Sequence, residues 1–289
     1  MFEKVLVPTD FSKYSIKVLE CVGGLPGVKK VVLLHVMAPP GDPAMVWDPG
    51  ARLKEANARL AELKGLLEGQ GLDVKTRFEV PSGGEVWKEI QSVADEEQAS
   101  LMVMGARGKG FVEGILLGNV ARKILRYGST HLLLMRYKIL EDVKEGPMEA
   151  FCARTFSRVL CPTDFSGPSE EAISFVKGLR EVDQIILQHV ISRGETSEEI
   201  DAHYQDATLK LNAIKEELER GGHEVSSHIS VGSSAEKIIS LAEKEDVSLV
   251  AMSSHGKGWL KQLIVGSTTY DVARLGSRPV LVIRAGKGD

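Results

Sequence analysis

Short apolar runs alternate with amphipathic stretches along the whole chain. In the first half, runs at 5–8, 31–36, 74–80, 101–105 and 131–136 predict buried parallel strands, because they are short and rich in branched side chains. The segments 13–22, 51–69, 84–97 and 118–128 have helical spacing. The second half repeats this order, with predicted strands at 158–162, 184–190, 224–231, 247–252 and 279–283. The alternation indicates an α/β fold of two tandem doubly wound (Rossmann-like) domains, each a five-stranded parallel sheet with helices on both faces.

One predicted helix, 51–69, carries a regular apolar stripe. A stripe at helical spacing is typical of a helix that packs against a core, and we favour that interpretation over a cofactor-binding surface. The residues of the stripe are Leu53, Ala56, Leu60, Leu63, Leu66 and Leu67.

The chain is an internal repeat. Residues 4–12, KVLVPTDFS, return at 158–166 as RVLCPTDFS, with an offset of 164 − 10 = 154. Residues 101–125 align with 249–273 at an offset of 249 − 101 = 148, so the second copy has lost six residues in between. The Pro- and Gly-rich segment 37–50 has no close counterpart after Val190, and we place the extra residues there. A charged, irregular stretch between the copies predicts domains at 1–140 and 157–289, joined by a linker at 141–156.

Composition narrows the class of protein. The 289 residues are 43% hydrophobic and 26% charged, and the net charge is −4. This balance is that of a globular protein, and it gives no support to a general nucleic-acid binder. The chain has no apolar run of the length that crosses a membrane, and Glu3 interrupts the N-terminus, so we expect no spanning helix, no secretory signal and a cytoplasmic location.

The cysteines form no recognisable motif. Cys21, Cys152 and Cys161 contain no C-x-x-C pair and no zinc-ligand spacing. We therefore expect three reduced, mostly buried thiols and no metal site.

Polar residues follow the first predicted strand of each half. Pro8-Thr9-Asp10 is repeated as Pro162-Thr163-Asp164. The aspartate can accept hydrogen bonds from a nucleoside, or it can be the N-cap of the following helix, and the repeat does not decide between them. Backbone groups of Val36 and Val190, at the end of the second strand, are candidates for an adenine edge. The preceding His35 and His189 are predicted to be packed strand histidines.

Glycine-rich segments follow the fourth predicted strand. Gly105-Ala106-Arg107-Gly108 is followed by nine residues and Gly118-Asn119, and Ser253-Ser254-His255-Gly256 by nine residues and Gly266-Ser267. Glycine lets the backbone approach a ligand closely, and the free N–H groups at the next helix start favour an anion. The charged flanking residues suit either phosphate contacts or solvated loops; they are Arg107, Lys109, His255 and Lys257.

Together these residues resemble the universal stress protein family, whose motif joins P-x-D after the first strand to G-x2-G-x9-G-[S/T] after the fourth. The resemblance covers essentially the whole chain, twice, as in the tandem form of the family. It implies an adenine-nucleotide-binding stress-response protein that acts as a sensor or regulatory module, with AMP or ATP as ligand and Mg2+ as companion of ATP. Asp10, Val36, Asp164 and Val190 would hold adenosine.

The other implied nucleotide-binding residues lie beside these or in the glycine segments. Gly105 would lie beside the ribose, and Gly108, Gly256 and the helix starts would line the phosphates. In the first half the set is Pro8, Thr9, Met104, Gly105, Gly108, Gly118, Asn119 and Val120. In the second half it is Pro162, Thr163, Ser253, Gly256, Gly266, Ser267 and Thr268.

Two positions depart from the family pattern. Asn119 replaces the expected Ser or Thr, and Asn remains a good N-cap that can donate through its amide. Ser253 replaces the first glycine, and its Cβ would crowd the ribose or require a different backbone angle. We therefore expect the two sites to differ in affinity or preferred nucleotide, with AMP better suited than ATP to an imperfect phosphate site.

Two other functions stay open at this stage. A slow ATP hydrolase or phosphotransferase could use the same pocket, although the sequence contains no G-x-x-x-x-G-K-[S/T] loop and no paired carboxylates near the glycines. A ligand-free partner-binding module is the third reading. The resemblance also implies dimerisation through the last strand, from which we expect an internal pseudo-dimer of the two halves and consider a homodimer of whole chains.

Overall fold

In a computed structural model, the chain is described over residues 2–37, 49–81, 85–107, 117–136, 155–179, 181–191, 196–256 and 265–284. The chain divides into two units, Met1–Met135 and Arg136–Asp289. Residues 141–154 of the predicted linker lie outside the described residues. Its last two residues, Thr155 and Phe156, are buried.

The first unit alternates strands and helices in the predicted order. The sheet is parallel, with strand order β3-β2-β1-β4-β5. The elements are β1 Lys4–Pro8, α1 Lys13–Val22, β2 Lys30–Val36, α2 Pro49–Glu68, β3 Asp73–Glu79, α3 Val86–Glu96, β4 Leu101–Gly105, α4 Asn119–Tyr127 and β5 His131–Met135.

The second unit has the same architecture. Its strand order is β10-β9-β6-β7-β8, and the pairs are again parallel. The elements are β6 Arg158–Pro162, α5 Gly167–Lys177, β7 Gln184–Ile191, α6 Ser197–Arg220, β8 Glu224–Val231, α7 Ser234–Lys244, β9 Leu249–Ser253, α8 Ser267–Leu275 and β10 Val280–Ile283. The predicted fold class is confirmed.

The strand order creates a switch point in each sheet. The chain proceeds from β1 outward to β2 and β3, and then crosses back to place β4 on the other side of β1. In the second unit β6 lies in the same way between β7 and β9. Helical connections therefore leave in opposite directions from neighbouring strand ends, which opens a gap at the carboxyl edge of the sheet.

The apolar stripe of α2 is only partly as predicted. Ala56, Leu60, Leu63 and Leu67 are buried, and they fall on one narrow face of the helix. Leu53 and Leu66 are about 40% and 39% exposed, which corrects the prediction that they face the core. Leu66 lies roughly 90° around the helix from the centre of the buried face, and Leu53 is the fifth residue of the helix, near its start.

The strand registers also correct the placement of the six missing residues. Val31 pairs with Val74 and Ile185 with Val225, so the offset changes from 185 − 31 = 154 to 225 − 74 = 151 before the third strand. The N-caps of α3 and α7, Glu85 and Ser233, differ by 148. Three residues are thus lost on each side of the third strand, and the prediction that all six lie within 37–50 is wrong. In the connection between its second and third strands, the second copy has a longer helix than the first, 24 residues in α6 against 20 in α2. The longer helix makes up for part of the residues that the preceding loop has lost.

The expectation of three reduced cysteines is also wrong. Cys21, on α1, is disulfide-bonded, whereas Cys161 is a free, buried thiol. Cys152 lies outside the described residues. Sequence spacing excludes local motifs such as C-x-x-C, but it does not show whether a cysteine is bonded to a distant one. Burial in the apolar sheet raises the pKa of the Cys161 thiol to about 12, so this cysteine is an unreactive core residue.

A charge cluster stabilises the first unit away from the switch point. Glu97 is only 8% exposed, and its carboxylate lies 2.7 Å from Lys4 Nζ, 2.6 Å from Lys75 Nζ and 3.0 Å from Arg77 Nη1. Hydrogen bonds from these cations, Lys4 first, lower the pKa of Glu97 to about 2. The cluster joins β1, β3 and the end of α3.

Within the described ranges, none of the helices combines the length and apolar character that crossing a membrane requires.

Candidate functional site

The turn after the first strand settles one open alternative. The N-cap of α1 is Ser12, whose side chain accepts from the Ser15 N–H, so of the two alternatives for Asp10 the N-cap role is excluded. Asp10 instead uses Oδ1 to accept from the Ser12 N–H at 3.0 Å, which stabilises the turn.

The second unit repeats this turn. Ser166 is the N-cap of α5, as part of a capping box with Ser169. Asp164 Oδ1 accepts from the Ser166 N–H at 3.1 Å and from its hydroxyl at 2.5 Å. In both units the aspartate therefore lies beyond the end of the first strand and before the helix, at the switch point.

An unusual backbone conformation follows each aspartate. Phe11 and Phe165 have φ angles of 59° and 58°, in the left-handed region. That region costs a bulky residue roughly 1–2 kcal/mol, so its presence at two equivalent positions needs a compensating interaction. Each Phe ring packs on the histidine of the second strand, at 4.2 Å between ring centroids for Phe11–His35 and 4.5 Å for Phe165–His189.

A hydrogen bond to the backbone fixes the orientation of each histidine ring. His35 Nδ1 donates to the carbonyl oxygen of Thr9 at 2.7 Å, and His189 Nδ1 donates to that of Thr163 at 2.8 Å. A carbonyl only accepts, so Nδ1 carries the proton in both rings. These contacts are those of packed histidines.

A cation from the second helix of each unit also lies over the Phe ring. Arg59 Cζ is 5.5 Å from the centroid of Phe11, and Lys210 Nζ is 5.4 Å from that of Phe165. Such contacts contribute about 0.5–1 kcal/mol at exposed positions. The stack of cation, Phe and His was not foreseen from the sequence, although the cations and histidines also repeat between the copies.

The backbone of Val36 faces the switch point. Leu34 accepts from the Thr9 N–H at 2.8 Å, toward β1, and Met37 donates to Glu79 at 2.9 Å, toward β3. Successive residues of a strand turn their N–H and C=O groups to opposite sides, so those of Val36 point past the end of β1. The same pattern of bonds places Val190 in the second unit.

The ends of the fourth strands differ between the units. A Cβ on Gly105 would lie 3.1 Å from the carbonyl oxygen of Arg107, a tight contact. In the second unit Ser253 occupies this position, and its hydroxyl donates to the equivalent carbonyl, that of His255, at 2.5 Å. Neither residue has a positive φ, so the serine requires no special backbone angle.

Gly256 brings the two motifs of the second unit into contact. A Cβ on this glycine would lie 2.5 Å from Asp164 Oδ2, closer than any real contact of that kind. The backbone after β9 therefore touches the carboxylate that follows β6. The equivalent glycine of the first unit, Gly108, lies outside the described residues.

The helices after the fourth strands begin at glycines. Gly118 and Gly266 are the N-caps of α4 and α8, and a glycine has no side chain with which to satisfy first-turn N–H groups. Each cap is bonded to the segment after the fourth strand, Gly118 N–H to Ala106 O and Gly266 N–H to Ser254 O, both at 2.8 Å. The positive end of each helix thus lies at the same sheet edge as the aspartate.

The predicted site residues of the described segments all lie at the carboxyl edge of their sheets. Pro8, Met104, Pro162 and Ser253 lie in the last two residues of their strands, and Thr9 and Thr163 come directly after theirs. Asn119, Val120, Ser267 and Thr268 are the first residues of α4 and α8. Gly108, Lys109 and Lys257 lie outside the described residues. We call Asp10, Val36, Gly105 and Gly118 the first candidate site, and Asp164, Val190, Ser253, Gly256 and Gly266 the second.

Among the described residues around these sites, no metal-binding cluster is found. No group of three or more His, Cys, Asp or Glu side chains in the described part of the chain could hold a metal ion. The arrangement of the second site offers a carboxylate acceptor, outward-facing strand backbone and an uncapped helix start within one edge, which suits a ligand with hydroxyl or amine donors at one end and an anion at the other.

Comparisons with known proteins bear on the family and the fold of the chain. The model of the universal stress protein family matches residues 1–136 and 155–284. A universal stress protein of Methanocaldococcus jannaschii is 33% identical over 154 residues, 45% of this chain and 95% of its own length. One from Mycolicibacterium smegmatis is 26% identical over 273 residues, 88% of this chain and 87% of its own. A universal stress protein structure from Archaeoglobus fulgidus superposes with a TM-score of 0.71 at 24% identity, covering 99% of this chain and 97% of that one.

Proposed function

The chain belongs to the universal stress protein family, and from that premise we propose that each of its two units binds one adenine nucleotide, AMP or ATP. The nucleotide lies at the carboxyl edge of the sheet, with adenosine at the aspartate and phosphate at the helix start. The observation that carries this proposal is the contact between Asp164 and the backbone of Gly256, because it joins the acceptor to the glycine segment.

Adenosine recognition rests on Asp164 and Val190. Asp164 Oδ1 accepts from Ser166, and Oδ2 faces Gly256. A carboxylate oriented in this way can accept from ribose hydroxyls, and such charge-assisted bonds are about twice as strong as neutral ones. The outward-facing backbone of Val190 can pair with the adenine edge. Asp10 and Val36 have the same places in the first unit.

Phosphate recognition rests on the starts of α4 and α8. Their first-turn N–H groups have no intrahelical acceptor, and the helix dipole adds about 0.3–1 kcal/mol for an anion there. In the first unit Asn119 Oδ1 accepts from Arg122 Nη2 at 3.0 Å, so the group that this side chain can offer to an anion is its amide N–H, a donor. In the second unit Ser267 and Thr268 add hydroxyls at this place.

Calorimetric titration tests the proposal directly. AMP, ADP and ATP are titrated into the full chain and into Asp10→Ala, Asp164→Ala and the double variant. We expect two binding events in the wild-type chain, one in each single variant and none in the double variant. The matched controls Asp73→Ala and Asp183→Ala remove exposed carboxylates at the opposite edges of the same sheets and should bind as the wild type does.

Mass spectrometry of the denatured, freshly purified chain gives an independent measurement. A co-purifying adenine nucleotide supports the proposal. If the double variant in the titration binds nucleotide as tightly as the wild-type chain, the two aspartates do not contribute to the binding sites.

Several finer expectations stay predictions under this proposal. They are a role as nucleotide-dependent regulator in a stress response, a cytoplasmic location, the internal pseudo-dimer and the homodimer. Light scattering of the purified chain measures its oligomeric state. A steady-state phosphate-release assay with ATP separates binding from the alternative of slow hydrolysis.

A further inference from the structure

Three buried hydroxyls distinguish the second candidate site. Ser253 Oγ donates to the His255 carbonyl at 2.5 Å, and Ser254 Oγ is bonded to His255 Nδ1 at 2.8 Å. Thr269, in the first turn of α8, donates its hydroxyl to the carbonyl of Ser253 at 2.9 Å. The three residues are 9%, 1% and 4% exposed. We call Ser253, Ser254 and Thr269 the hydroxyl latch.

The first unit has no such side chains at the equivalent positions. The offset of 148 relates the latch to Gly105, Ala106 and Ala121, none of which carries a hydroxyl. What the two units share is the backbone bond from the N-cap glycine to the segment after the fourth strand, 2.8 Å in each. The bond from Thr269 therefore adds a second connection between helix and strand that the first unit lacks.

This connection reaches the groups that the proposed function assigns to phosphate. Ser253 is the last residue of β9, and Thr269 is the third residue of α8, whose opening N–H groups face the ligand. Fixing one against the other restrains the angle and distance between the strand end and the helix start. Buried hydrogen bonds are strong restraints because breaking one leaves an unsatisfied polar group away from water.

We propose that Thr269 is a positioning residue that holds the second site in its binding form before the nucleotide arrives, whereas the first site, with Ala121 at the equivalent position, has no side-chain bond of this kind. The inference rests on the proposed function and deepens it, because it says which site binds more tightly. A site that is already restrained loses less conformational entropy on binding, so the second site has the higher affinity.

Hydrogen exchange of the nucleotide-free chain tests the latch without any ligand. We expect slower exchange in the peptide covering α8, 265–275, than in that covering α4, 117–127. Thr269→Val keeps the size of the side chain and removes the hydroxyl, and it should raise the exchange of 265–275 toward that of 117–127. Thr269→Ser should restore slow exchange. Equal exchange of the two peptides in the wild type, or no response to Thr269→Val, would overturn the inference.

Affinity is measured in a full chain carrying Asp10→Ala, so that AMP binds at the second site. One buried hydrogen bond contributes about 0.5–1.5 kcal/mol, so Thr269→Val should raise the dissociation constant roughly threefold to tenfold. Thr269→Ser should leave it near the parent value. In the reverse background, Asp164→Ala, the substitution Ala121→Thr should tighten the first site.

Different results would refute the hydroxyl latch and the proposed function. If AMP binds the second site but Thr269→Val changes neither exchange nor affinity, the latch is refuted and the proposed function stands. If no nucleotide binds the chain, the proposed function fails, and the inference about affinity fails with it.

Discussion

The substitution Gly256→Ala tests the contact on which the proposed function rests. The added Cβ would lie 2.5 Å from Asp164 Oδ2, whereas ordinary contacts begin at 3.4 Å, so the carboxylate must move by nearly an ångström. It cannot move freely, because Oδ1 accepts from the Ser166 N–H at 3.1 Å and from its hydroxyl at 2.5 Å. The methyl group therefore displaces the proposed adenosine acceptor without removing it.

The expected loss follows from the bond that is displaced. A hydrogen bond to a charged group contributes about 1.5–3 kcal/mol, which corresponds to a roughly tenfold to 150-fold increase in dissociation constant. The measurement is titration of AMP and ATP into the full chain carrying Asp10→Ala, with thermal unfolding recorded in parallel. The matched control is Gly167→Ala, at the start of α5, where a Cβ would have no atom within 4 Å.

A double variant separates displacement of Asp164 from other causes. If Gly256→Ala acts through this carboxylate, adding it to Asp164→Ala should cause little further loss, because the two changes remove the same interaction. Additive losses would show that the methyl group blocks the ligand itself. Binding by Gly256→Ala equal to that of Gly167→Ala would refute the reasoning.

Three further changes probe other contacts. Gly266→Ala should fold normally, because its Cβ would lie 3.6 Å from the nearest atom, and it should weaken AMP but not adenosine in calorimetry, since the methyl group lies at the phosphate end. Phe11→Gly should be more stable than Phe11→Ala by about 1 kcal/mol in urea unfolding, because glycine adopts a φ of 59° without strain; equal stability would argue against a strained turn. Glu97→Gln should destabilise the chain by about 1–3 kcal/mol at pH 7. The upper bound follows from the lowering of the Glu97 pKa from 4.5 to about 2. The value is smaller where solvent around the exposed Lys75 screens part of the attraction between the charges. Because the folded pKa is the lower one, the wild-type stabilisation is complete above pH 4.5 and is lost as pH falls toward 2, and urea unfolding of Glu97→Gln should lack this pH dependence.

Hydrophobic periodicity and the internal repeat predicted the type and order of the secondary-structure elements. Strand and helix signals are local, since a buried strand is a short apolar run and a surface helix is an amphipathic one. The alternation of the two then restricts the fold to a parallel sheet with crossover helices. The candidate residues were found for a related reason, because ligands of such sheets bind where parallel strands end, and these ends can be located along the chain.

Details that depend on distance in space were predicted less well. From the sequence, Asp10 could be the N-cap of the helix that follows it. Only the structure shows that Ser12 has that role. Leu53 and Leu66 have the apolar character of a core stripe, and their exposure depends on the angle at which α2 packs. Two different loops share the shortening of the second copy, which only the strand registers reveal.

By itself the sequence determined a duplicated doubly wound fold and named two sets of candidate site residues, because these inferences follow from local patterns and their repetition. Only the tertiary structure decided which of those residues touch. The contact of Asp164 with Gly256 and the bond from Thr269 to Ser253 join residues from separate elements. Such contacts depend on how strand ends and helix starts are packed, and no spacing along the chain encodes those distances.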